Sequence, residues 1–206
     1  MRSKGERKTS LKKGGRLVAS PLTPHSSPFL IIAHRGASGH APENTLKAFD
    51  KAIELGARWI ELDVQLHGSS LLVFHDLRLE RRTNGRGRVS ERSLRYLRGL
   101  DAGGGQRIPL LNEALDLVAR RARINIELKT GRGTARAVAE LLKRYLKRGW
   151  RPDDFLVSSF VLPELREFKR RLPQVPRGVL LCVVPLDLAA CATELGADVV
   201  TLDQDF

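Results

Sequence analysis

A chain of 206 residues with 42% hydrophobic content can bury one sizeable core and does not ask for a second domain. Its 36 Lys and Arg against 23 Asp and Glu give a formal net charge of +13, but the excess is spread over helix faces (Arg120, Arg121, Lys143, Arg144, Lys147, Arg148) and a basic tail. With only 5% aromatics for base stacking, no nucleic-acid partner is expected. No apolar stretch is long enough to cross a bilayer and the basic start lacks a signal-peptide core, so the expectation is a cytoplasmic protein.

Residues 1–28 are rich in Lys, Arg, Ser, Gly and Pro without periodicity and read as a disordered basic leader, with folding from Phe29 onward over 29–206. The apolar run PFLIIA is the first strand and ends abruptly in His34 and Arg35. A helix follows over 43–57, with Leu46, Phe49 and Ile53 at helical spacing. The next strand, WIELDVQL, alternates: Ile60, Leu62 and Val64 point one way, Glu61, Asp63 and Gln65 the other. Only four residues, His67-Gly68-Ser69-Ser70, separate it from LLVFHD, too few for a crossover helix, so the two form a hairpin that carries His75 back toward Glu61 and Asp63. A Gly- and Arg-rich excursion leads to a helix over 110–122. The strand INIEL then sets Asn125, Glu127 and Lys129 opposite Ile124, Ile126 and Leu128. Helices over 134–149, 163–172 and 186–195 alternate with strands FLVSSF, RGVLL and ADVVTL, the pattern of parallel strands joined by crossovers. Cys182 and Cys191 have no metal-ligand spacing and read as small apolar residues in a reducing compartment.

Charges at the ends of buried strands are costly unless paired or bound. Glu61 and Asp63 on one face, joined by Glu127 from a neighbouring strand, offer an all-oxygen ligand set suited to Mg²⁺ or Ca²⁺. His34 and His75 supply two imidazoles able to trade protons near neutrality. Arg35 offers a planar fork for a phosphate and Lys129 a second positive charge. Anion, divalent cation and paired histidines together point to phosphodiester cleavage.

The series His34-Arg35-Gly36, Pro42-Glu43-Asn44-Thr45, Glu61-Leu62-Asp63-Val64, Phe74-His75-Asp76, Ile108-Pro109-Leu110 and Glu127-Leu128-Lys129 closely resembles the glycerophosphodiester phosphodiesterases, in order and spacing. The resemblance implies a TIM (β/α) barrel of the phosphatidylinositol phospholipase C type. It implies hydrolysis of a glycerophosphodiester to glycerol 3-phosphate and an alcohol, through a cyclic phosphate. It also implies His34 and His75 as the acid and base pair, and Glu61, Asp63 and Glu127 as metal ligands. Arg35 and Lys129 are implied as phosphate contacts, with Glu43 and Asn44 shaping the first loop.

Two departures set further expectations. His67-Gly68-Ser69-Ser70 stands where the family usually has a Lys-Asp-Gly turn. Six main strands are counted where a closed barrel has eight, so the last two β/α units are expected to be missing. The competing expectation is an inactive or conditionally assembled barrel fragment that binds phosphodiesters, or a partner chain through its open sheet edge, without turnover; open edges also invite self-association.

Overall fold

A computed structural model describes residues 31–131, 133–183 and 187–202; the expected leader lies outside the described residues. Six parallel strands form one sheet in the order β1 (Ile32–His34), β2 (Trp59–His67), β4 (Arg123–Leu128), β5 (Phe155–Ser159), β6 (Arg177–Leu181) and β7 (Val199–Leu202). A short strand, β3 (Ser70–Val73), pairs with β2 antiparallel, as the four-residue connection requires.

Alternation along these strands divides the sheet's two faces. Ile60, Leu62 and Val64 of β2, Ile124, Ile126 and Leu128 of β4, Phe155 and Val157 of β5 and Val179 of β6 are all buried in one apolar cluster. Helices cover that face: α1 (Leu46–Glu54) brings Phe49 and Ala52, and α3 (Leu111–Val118) brings Leu111, Leu115 and Val118. Val138, Ala139 and Leu142 come from α4 (Thr134–Lys147), and Leu165 and Phe168 from α5 (Leu162–Arg171). Fully burying each Leu or Ile side chain is worth about 1.5–3 kcal/mol, so this face fixes the register of every strand in it. The opposite face is left to Glu61, Asp63, Gln65, Asn125, Glu127 and Ser158. The register Asp63↔Glu127↔Ser158 aligns three of them across neighbouring strands.

The excursion after β3 is more ordered than its Gly and Arg content suggests. It holds a 3₁₀ turn at Val89–Glu91, the helix α2 (Leu94–Gly99) and its own small core of Leu72, Phe74, Leu79, Val89, Leu97, Leu100 and Ile108. These apolar residues are too irregularly spaced for any single period, so a scan for periodicity passes over them. The expected helix over 110–122 ends early, at Val118, because Ala119 and Arg120 turn into the left-handed region. Cys182 is exposed, and the side chain of Cys191 lies outside the described residues. The helix α6 (Leu188–Leu195) and β7 follow where expected. Among the described residues no helix is long and apolar enough to cross a membrane.

Gly36 shows how closely the first loop is built against α1. Its φ is +80°, and an added Cβ would lie 2.7 Å from the carbonyl carbon of Ala48. Gly36→Ala is therefore expected to destabilise the protein by roughly 2–4 kcal/mol in urea denaturation, combining a forbidden backbone angle with a clash against helix backbone. A change below about 0.5 kcal/mol would contradict this packing.

Candidate active site

The C-terminal ends of β1, β2 and β4 carry the site. His34 pairs in register with Glu61, and Asp63 with Glu127. Because β1 occupies the first part of β2 and β3 the last part, the chain leaving β3 runs back toward the end of β1. The Phe74 amide donates to the Asp63 carbonyl at 3.0 Å, and His75 follows directly. The three carboxylates expected as metal ligands do converge: Glu61, Asp63 and Glu127 are all buried and each offers an oxygen within 4.8 Å of the others.

The first loop holds this cluster from below. Thr45 caps α1, accepting from the Ala48 amide at 3.2 Å and donating to the Pro42 carbonyl at 2.6 Å. Just ahead of it Asn44, at φ 57°, donates through Nδ2 to Asp63 Oδ2 at 2.7 Å, while its Oδ1 accepts from the Asp63 amide at 3.2 Å. Arg35 is likewise left-handed, at φ 58°. Its backbone amide donates to Glu61 Oε2 at 2.9 Å, its Nη1 to Glu43 Oε1 at 2.9 Å, and its Nε stands 3.2 Å from Asp63 Oδ2. Two non-glycine residues in a sparsely populated backbone region, both serving the same carboxylates, mark strain held in place by the site.

Lys129 donates through Nζ to Glu127 Oε1 at 2.6 Å and lies 3.7 Å from Asp63 Oδ1. Asp63 and Glu127 thus each have a cationic side chain beside them. Glu61 has only the Arg35 amide and the His34 ring, whose Nε2 is 3.9 Å away. Burial first, and then the neighbouring Asp63 charge, push the Glu61 carboxyl up to about 8. Burial also raises Glu127, against the pull of Lys129. Much of the His34 ring is exposed, yet the burial it has, together with the charge of Arg35, lowers its pKa.

Among the described residues, the buried side-chain polar atoms without a hydrogen-bond partner are Arg35 Nε, Glu61 Oε1 and Asp63 Oδ1, all within this one cluster. Buried charges elsewhere are satisfied. Glu164 accepts from the Ala135 amide at 2.7 Å at the start of α4, and Arg177 donates to the carbonyls of Pro173, Val175 and Gly196. Two orphaned carboxylate oxygens on side chains that share one face of β2, with a third carboxylate beside them on β4, fit a hard cation that takes oxygen ligands.

His75 sits at the site's other edge with Nδ1 2.5 Å from Asp76 Oδ1. Bonding to Arg81, together with that to His75, holds the Asp76 carboxyl at about 2 against its partial burial, so it accepts from an Nδ1–H and leaves Nε2 free. Gln65 Nε2 lies within hydrogen-bond distance of the carbonyls of Phe74, His75 and Asp76, at 2.8–3.1 Å, and pins this turn to β2. The structure therefore brings together His34, Arg35, Glu61, Asp63, Glu127 and Lys129, with His75 just beyond the end of β3. Glu43 and Asn44 serve them as supports rather than as an exposed lining. The supports supplied by Asp76, Arg81 and Gln65 escape a reading of the sequence. The alternation of β2 marks only the face of Gln65, and Arg81 belongs to a loop without any period.

A pH dependence follows from Glu61. Its folded pKa is raised above its unfolded value, so the metal-free fold loses stability as pH rises from about 4.5 toward about 8. A cation must displace that proton. Calorimetric titration with Ca²⁺ at about pH 7, in buffers of different ionisation enthalpy, is expected to register release of close to one proton, with affinity rising with pH. Proton-neutral, pH-independent binding would contradict the environment assigned to Glu61.

Comparison with known proteins points the same way as the geometry. Residues 34–203 match the model of the glycerophosphoryl diester phosphodiesterase family. A glycerophosphodiester phosphodiesterase of Caldanaerobacter subterraneus subsp. tengcongensis is 40% identical over 160 residues, covering 73% of this chain and 66% of that protein. The chain spans about two thirds of the length of several curated relatives it matches, 66% and 65% for two of them, and less of others. Among solved structures, an Oleispira antarctica phosphodiesterase in complex with the product sn-glycerol-3-phosphate superposes with a TM-score of 0.77 at 34% identity, covering 85% of this chain and 75% of that one. A glycerophosphodiester phosphodiesterase from Agrobacterium tumefaciens gives 0.69 at 31% identity, covering 83% and 74%. With the parallel strand order above, these similarities make the fold a TIM-like α/β fold.

Proposed function

This chain belongs to the glycerophosphoryl diester phosphodiesterase family, and from that premise we propose that it hydrolyses glycerophosphodiesters to glycerol 3-phosphate and an alcohol, aided by Mg²⁺ or Ca²⁺. The observation that carries this reading is the meeting of three buried carboxylates, two of them with orphaned oxygens, with two histidines and two cationic side chains at one end of one sheet.

Glu61, Asp63 and Glu127 would hold the cation, which when bound supplies electrostatic stabilisation of the charge developing on the phosphoryl oxygens. Arg35 and Lys129 stand beside those carboxylates and bind the substrate phosphate. His34, kept neutral near pH 7 by its lowered pKa, takes the proton of a glycerol hydroxyl as that oxygen attacks phosphorus. His75, entering this step as the imidazolium, gives its Nε2 proton to the departing alcohol oxygen and is left in the Nδ1–H form, with a cyclic phosphate as product. Water then adds to phosphorus with the two roles exchanged: the proton of water goes to His75, and His34 returns its proton to the glycerol oxygen as the ring opens. Asp76 holds the His75 ring in orientation and supports its positive charge when it forms.

The purified chain supplied with divalent cation is expected to release glycerol 3-phosphate from glycerophosphocholine, measured by a coupled dehydrogenase assay. Asp63→Asn removes a central ligand and is expected to abolish most of the rate and weaken cation binding. His75→Ala is expected to lose roughly 10²- to 10⁴-fold in kcat with its circular dichroism unchanged. Full turnover after EDTA treatment, or a folded His75→Ala protein of normal rate, would overturn the corresponding assignment.

A further inference from the structure

Arg81 lies on the exposed loop after β3, yet it reaches two carboxylates belonging to different arms of the site. Its Nε and Nη2 grip Asp76 in bidentate fashion, at 2.5 Å to Oδ2 and 2.6 Å to Oδ1. The same Nη2 is 3.2 Å from Glu43 Oε1. Asp76 in turn meets the His75 ring, and Glu43 accepts from Arg35. A continuous series, His75–Asp76–Arg81–Glu43–Arg35, therefore runs from one loop to the other across the mouth of the site. Arg82 holds the far oxygen of Glu43 at 2.7 Å, so Glu43 stays anchored while Arg81 spans the gap.

We infer that Arg81 is a positioning residue that ties the proton-transfer arm of the site to its phosphate-binding arm, fixing the orientation and tautomer of His75 through Asp76. The inference rests on the functional reading given above. A planar fork is required, because a single ammonium cannot hold both oxygens of Asp76 and also reach Glu43. The side chain of Arg81 is 45% exposed, and exposed ion pairs contribute little to stability. The effect of Arg81 is therefore on geometry: without it the Asp76 carboxylate is free to turn away, and the His75 ring loses the partner that selects Nδ1–H.

Three measurements test this. In ¹⁵N-labelled protein followed through a pH titration, the neutral form of His75 is expected to be the Nδ1–H tautomer, and Arg81→Ala to shift that form toward a tautomer mixture with little change in melting temperature. Kinetically, Arg81→Ala is expected to lower kcat roughly 10- to 100-fold, the usual scale for a supporting partner of a site residue, with KM changed far less and partial rescue by added guanidinium. Combined with Asp76→Asn, it is expected to add little further loss, since both act through one bond. An unchanged tautomer, or losses that multiply in the double variant, would overturn the inference. Should Arg81→Ala melt far below the wild type, Arg81→Gln, similar in reach but uncharged, replaces it in the same comparisons. A wild-type chain without turnover would instead sink the functional reading, and the tautomer readout would still decide the role of Arg81.

Discussion

Everything at the end of this sheet turns on the mutual repulsion of three buried carboxylates. Two unit charges within 4.8 Å of each other repel by roughly 3 kcal/mol even at an effective dielectric constant of about 20. Three such pairs would be a heavy load for a domain of ordinary stability. The chain answers with Arg35 and Lys129 set against Asp63 and Glu127, with backbone and amide donors from Arg35 and Asn44, and with a proton retained on Glu61 when no cation is bound. Exchange of that proton for a divalent ion, as proposed above, would turn an electrostatic burden into a binding site.

The surrounding supports follow from the same constraint. Left-handed backbone at Arg35 and Asn44 aims one amide and one carboxamide at the acids, and Gly36 lets the loop lie flat on α1 while doing so. The apolar face of the sheet, closed by α1, α3, α4 and α5, fixes the register that puts Asp63 beside Glu127. A one-residue slip of β2 would send Glu61 and Asp63 into that core. Core packing and site geometry are thus one requirement on β2 and β4, met by strict alternation.

That alternation is why much of the site could be read from the residues alone. WIELDVQL and INIELK state in their period-two pattern which side chains share a face, and the four-residue connection after His67 forces the hairpin that returns His75. The strand count and the positions of most helices follow from similarly regular signals. What could not be read lies where no period exists. The order of 77–107 depends on a small core assembled from scattered residues, and Arg81 matters only because the fold of that segment brings it to Asp76 and Glu43. Asp76 can be noticed in the run Phe74-His75-Asp76, but nothing in the sequence says which neighbour its carboxylate holds.

Glu61, Asp63 and Glu127 are proposed to form one site for one hard divalent ion. Crystals grown with Mn²⁺, an oxygen-seeking substitute for Mg²⁺ or Ca²⁺, allow the ion to be located by its anomalous scattering without reference to activity. A single strong peak is expected within coordination distance of all three carboxylates, with the orphaned oxygens of Glu61 and Asp63 among its ligands. Absence of a peak at saturating Mn²⁺, or a peak that leaves Glu61 and Asp63 unligated, would contradict it.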